Sequence, residues 1–226
     1  MIDEWFNNNA VRIWKEHKNA HPLVPHFYSK IKIDAEILFV GINPSHRDEW
    51  LNQVINKNQK LFGNYTDNKL FNWNNGIDIE IKIPLVAYVE EYARNNDKQY
   101  FGAISKLANQ IGVSNWEHLD LFLVRDKSQE NLEKIIELNK VTYDVNAFGK
   151  AQIDLFVEVI DLIKPKKIVI LNTLASSILM KKLSPNPIYK TNFIYKDTKI
   201  FMSGMVSGQR ALDKFSKLRL INEIKE

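Results

Sequence analysis

Cysteine is missing from all 226 residues of the chain. Its absence excludes disulfides, thiolate nucleophiles, cysteine-built zinc sites and iron–sulfur clusters together. Histidine is scarce: His17, His21, His26, His46 and His118 are the five present, none in an HExxH spacing, so the sequence supports no metal site. Neither a GxGxxG turn nor a phosphate-binding loop with its lysine occurs, which argues against the common nucleotide-handling folds. No apolar run approaches the roughly 18 residues that a membrane span requires. The opening residues, Met1-Ile2-Asp3-Glu4-Trp5, are acidic where a secretory signal is basic and then apolar. A cytoplasmic protein without a membrane partner is expected.

Charge of one sign is not in large excess. The 31 lysines and arginines outweigh the 27 carboxylates to leave +4, with a pI near 9.0. That balance permits a nucleic-acid partner without demanding one. The nearest approach to a basic cluster, Lys164-Pro165-Lys166-Lys167, reads as a solvated loop ahead of a strand. Apolar residues at 45% and charged residues at 26% are ordinary globular values, and the length suits one α/β domain spanning 1–226.

What the sequence does have is an apolar run that stops abruptly: Ile37-Leu38-Phe39-Val40-Gly41-Ile42-Asn43-Pro44-Ser45. A strand buried on both faces of an α/β sheet reads this way, and open α/β sheets keep their ligand sites beyond the carboxyl ends of such strands. Further strands are expected near 119–124, 168–171 and 199–202, four in all with 36–41, and helices at 4–18, 84–92, 100–110, 129–138, 148–163 and after Asn172 and Ala211. The stretch 46–84, rich in Asn, Lys and aromatics, shows little periodicity and reads as an elaborated loop over the site.

Three strand-end motifs stand in order: Gly41-Ile42-Asn43-Pro44-Ser45, Asn172-Thr173-Leu174-Ala175, and the Ser/Gly loop of 203–210. Together they resemble the uracil-DNA glycosylase superfamily, and the GINP tetrapeptide is most similar to the first motif of its mismatch-specific uracil/thymine branch. The resemblance implies a three-layer α/β/α sandwich with a four-stranded, mostly parallel sheet. It implies hydrolysis of an N-glycosidic bond in DNA, with uracil or a related deaminated base flipped out of the helix, no metal or organic cofactor, and a monomer.

Carried onto this chain, the resemblance makes Asn43 the residue that orients the attacking water. An amide can hold water but cannot take its proton, and Asn before Pro also simply makes a turn. Gly41, Ile42 and Ser45 would surround the base, with backbone N–H groups near Ile42 and Ser45 for its carbonyl. Phe62 or Tyr65 would supply a stacking ring, worth on the order of 1–3 kcal/mol. Ser203, Gly204, Ser207 and Gly208 would bind phosphate at the start of the closing helix, Met205 or Val206 would wedge into the duplex, and Arg210 would pair with a phosphate or a nearby carboxylate. The histidine that often precedes this last loop in the superfamily is absent. Asp48 and Glu49 read as solvated helix-start residues, His118 as a solvent-facing or backbone-bonded residue, Asp120 as a strand-edge carboxylate or one facing a polar site, and Asn172 as a helix cap. The rival reading is a non-catalytic module that binds a nucleic acid or nucleotide on the same fold.

Overall fold

A computed structural model describes residues 1–45, 48–189, 192–208 and 211–226, with the side chains of Asp48, Asp67, Asn68, Ile188 and Tyr189 also left aside. In chain order the elements are α1 (Ile2–Glu16), β1 (Ile37–Gly41), α2 (Asp48–Lys57), α3 (Gln59–Phe62), α4 (Asp67–Phe71), α5 (Ile79–Asn96), α6 (Tyr100–Ile111) and β2 (Trp116–Asp120). They continue with α7 (Gln129–Ile135), α8 (Ala147–Ile163), β3 (Lys167–Ile170), α9 (Thr173–Leu183), β4 (Asn186–Tyr189), β5 (Asn192–Tyr195), β6 (Thr198–Met202) and α10 (Lys214–Lys225).

β1 is the centre of the parallel part of the sheet because all five of its residues are apolar or glycine and all are buried. Leu38 and Val40 face one way, into a core shared with Trp14 of α1 and Phe156 and Ile160 of α8. Ile37 and Phe39 face the other, against Ile104 and Leu107 of α6 and Ile221 and Ile224 of α10. Continuous apolarity is what a strand covered on both faces requires.

The sheet is not the four-stranded one expected. Among the described residues it has six strands, in the order β2-β1-β3-β6-β5-β4. The first four are parallel and correspond to the four read from the sequence, and β5 and β4 add an antiparallel extension. These two strands escape a hydropathy reading because they are short and polar at their ends, and β4 contains Pro187, a residue that a sheet tolerates at its edge. The second strand also lies earlier than expected: pairing runs through Trp116–Asp120, while Leu121 and Phe122 reach back to the carbonyls of Gly41 and Ile42.

The segment 46–84 is a second correction. It holds α2, α3, α4 and the first turns of α5, and buries Leu51, Val54, Ile55, Phe62, Leu70 and Phe71. The 51/54/55 spacing is helical, but frequent Asn and Lys between short helices blurs it. α5 begins before Pro84, at Ile79, because the Asp78 side chain accepts from Glu80 N; Pro84 then sits inside the helix. Among the described residues, no helix is long and apolar enough to cross a membrane.

Candidate functional site

The parallel strands deliver three polar turns to one end of the sheet. β1 connects onward to β2 on one side and lies against β3 on the other, so the chain diverges beyond its carboxyl end, the place where open sheets keep ligands.

At that point the turn after β1 is laced to the exit of β2. Phe122 N donates to Ile42 O at 2.9 Å and Asp126 N to Pro44 O at 3.2 Å. Asn43 Nδ2 lies 3.2 Å from the carbonyls of Val124 and Asp126 and 3.3 Å from that of Pro44. An NH₂ group has two hydrogens, so three carbonyls fully occupy it and fix which way the amide faces. Asn43 Oδ1 receives no hydrogen bond from a described residue, and Asn43 is half-buried. Ile42 is half-buried, Pro44 buried and Ser45 exposed. Gly41 has to be glycine for a spatial reason: a methyl group there would overlap Asp120 Oδ1 and come within 2.8 Å of the Tyr100 hydroxyl.

At the ends of β3 and β6, Asn172 Oδ1 accepts from Ala175 N, capping α9, and its Nδ2 reaches Gln129 Oε1 at 3.3 Å. Ser203 N bonds Ile170 O, so the last loop leaves the sheet beside β3. Ser203 and Gly204 line a cavity of about 300 Å³ with Thr173, Ser176, Ser216 and Arg219. Met205 and Ser207 are half-buried and Gly208 is exposed at φ +82, while Val206 packs into the α6/α10 core, which leaves Met205 as the wedge candidate. The phosphate role expected at the start of the closing helix needs correction. α10 begins six residues beyond Gly208, and its first N–H groups are already taken by Asp213, which accepts from Phe215 N and Ser216 N. The Ser216 hydroxyl, donating to Asp213 Oδ2 at 2.6 Å, and then those backbone bonds hold the Asp213 carboxyl below its ordinary range. Arg210 and His46 lie outside the described residues.

The two stacking candidates separate clearly. Phe62 is completely buried, edge-on to Tyr88 with centroids 5.9 Å apart, so it offers no free face to a base. Tyr65, in the turn after α3, is half-buried and is the candidate that remains.

A buried polar group lies beside Gly41, and the sequence alone gives a reading for its members His118 and Asp120 but none for Tyr100, Glu90 or His26. His118 does not face solvent: it is 3% exposed, and its Nε2 lies 3.0 Å from the Tyr100 hydroxyl and 4.0 Å from Asp120 Oδ1. Burial, and then the charge of Arg94, keep this imidazole neutral. Asp120 closes β2, and no hydrogen bond from a described residue reaches its carboxyl. Burial, with the negative charge of Glu90 adding to it, raises its pKa to about 8, so at neutral pH the carboxyl largely carries its proton. Next to it Glu90 pairs with the buried Arg125 and lies 3.5 Å from His26 Nδ1. The available signal was a carboxylate at Asp120 inside an apolar run. Among the described residues no three His, Asp or Glu side chains are placed to hold a metal ion.

The arrangement therefore offers an oriented amide on Asn43, a neutral carboxyl on Asp120 at the adjoining strand end, and a cavity under the last loop whose walls mix hydroxyls with Met202, Leu212 and Leu220. No protein-family model matches this sequence, and none of the curated proteins matches it.

Proposed function

We propose that the chain is a uracil-DNA glycosylase-like hydrolase of the three-layer α/β/α type, acting in base excision on uracil or a related deaminated base. One observation carries this reading. The amide nitrogen of Asn43 is anchored on backbone carbonyls of the β2 exit, at the divergence point of a parallel sheet, and its Oδ1, which takes no hydrogen bond from a described residue, is left as an acceptor for water. Water held there attacks the sugar carbon of a flipped nucleotide, the bond to the base breaks with its electron pair going to the base, the attacking water gives up its proton to solvent, and the departing base anion takes a proton from solvent. Asn43 orients and does not deprotonate, so the reaction depends on a base that leaves readily. DNA would approach this end of the molecule. Along α8 and α9, by contrast, Lys150 and Lys182 share Asp154, and Lys181 pairs with Asp144.

A specific observation also favours the second reading, a binding module without chemistry. Asn43 has a complete structural reason to be present in its carbonyl contacts, and the described part of the turn, 41–45, has no carboxylate to activate water.

Single-turnover cleavage of oligonucleotides bearing uracil, single-stranded and opposite guanine or adenine, decides between them. Wild type should yield abasic sites, and Asn43→Ala should cut the rate by about 10²-fold or more in protein whose thermal unfolding shows it still folded. A wild type that binds such DNA without cleaving it sustains the module reading instead.

A further inference from the structure

The free edge of β2 carries a second cavity, of about 210 Å³, and none of the residues proposed above for glycosidic cleavage lines it. Its walls come from the segment running along the edge strand and from the last turns of α5. The edge segment is tied down by Lys32 N donating to Glu117 Oε2 at 2.7 Å and Tyr28 Oη accepting from Asp120 N at 3.1 Å. Arg94 of α5 is spent on Glu117, which is completely buried.

What remains available in the cavity is unusual. His26, 5% exposed, lines it with Nδ1 lacking a hydrogen bond among the described residues, while Glu90 beside it is ion-paired with Arg125 through Oε1 and has its Oε2 3.5 Å from that same Nδ1. Buried polar atoms left this way are costly, and native proteins keep few of them without a reason. His118 contributes a second neutral imidazole.

The charges are sorted by wall. Glu90 and Glu91 project from α5, Lys30 and Lys32 from the edge segment opposite, and Ser29 Oγ donates to Glu91 at 2.8 Å across the mouth. Lys30 is exposed and has no described partner. A lone cation or a lone anion would satisfy one wall and face repulsion from the other. The volume lies below the roughly 300–1,000 Å³ of sites for drug-sized ligands, which restricts the occupant to a small metabolite.

We propose that this cavity binds a zwitterion of the α-amino-acid class, its ammonium on Glu90 and Glu91 and its carboxylate on Lys30 and Lys32, with His26 hydrogen-bonded to it. The site stands whether or not the chain cleaves glycosidic bonds.

Titration calorimetry of the intact protein against the common α-amino acids, each with its decarboxylated amine and its deaminated acid, tests this. At least one amino acid should bind saturably and raise the melting temperature. Both truncated analogues should bind about tenfold more weakly or worse, since each loses a charge-assisted contact. Lys30→Ala and Glu91→Gln, at exposed positions that should not disturb folding, should each weaken binding by about tenfold. The proposal is overturned if no amino acid binds, if the amine or the acid binds as tightly as its parent, or if both variants bind as wild type does.

Discussion

Two residues at the junction of β1 and β2 dictate each other. Gly41 has no side chain because the Asp120 carboxyl, the Tyr100 hydroxyl and His118 Nε2 fill the space where one would be. Gly41→Ala should therefore destabilise the protein by about 1–3 kcal/mol, the usual cost of overpacking a filled core, read as a lowered urea midpoint at unchanged slope. Asp120 adds a pH dependence whose sign follows from burial. Its folded pKa, about 8, lies above the ordinary value of 3.8, so the folded state holds a proton that the unfolded chain has released. Stability from this group is complete below the unfolded value and falls as pH rises through the interval up to about 8. Asp120→Asn should flatten that fall, and chemical denaturation of both proteins at half-unit pH steps would show it; parallel curves would mean the carboxyl is ionised in the fold. The sequence revealed that Asp120 interrupts an apolar run. It could not reveal that His26, Glu90, Tyr100 and His118 converge around the same place, since these come from an edge segment, two helices and a strand.

Among the elements, α9 shows how a polar strand end can serve structure. Asn172 caps the helix with its oxygen and reaches Gln129 with its nitrogen. Asn172→Ala should cost about 1 kcal/mol, whereas Asn172→Asp keeps the capping oxygen and should lose much less; thermal melts of the two variants separate capping from the Gln129 contact. The same balance of local and distant signals explains what was legible. β1 and, after Lys167, β3 are apolar runs, and α8 repeats Ile153, Phe156 and Ile160 along one face, so hydropathy alone marks them. β5 owes its existence to pairing with β6, and β4 to pairing with β5, not to their own patterning: β5 is only half-buried throughout. α2 to α4 are short, and their few apolar residues are diluted by Asn and Lys, so periodicity had little length over which to register. The turn after β1 was legible as a site candidate because it ends the most apolar strand, but the anchoring of Asn43 was not, because Val124 and Asp126 are more than eighty residues away along the chain.

On the scale of the whole molecule, β1 joins two cores. Alternate residues of this one strand enter the cluster containing α1 and α8 and the cluster containing α6 and α10, and β2 and β3 flank it along its length. Displacing β1 exposes both cores, because each includes residues of that strand as part of its floor. The two faces should therefore open together in a single cooperative unit. Native-state hydrogen exchange gives the test: the slowest amides of α8 and of α6 should report the same opening free energy, and Gly41→Ala should lower both by the same amount. A lower opening energy for α6 and α10 alone would show that the face carrying Tyr100 yields independently, and the Asp120 carboxyl would then be released to solvent without unfolding of the rest.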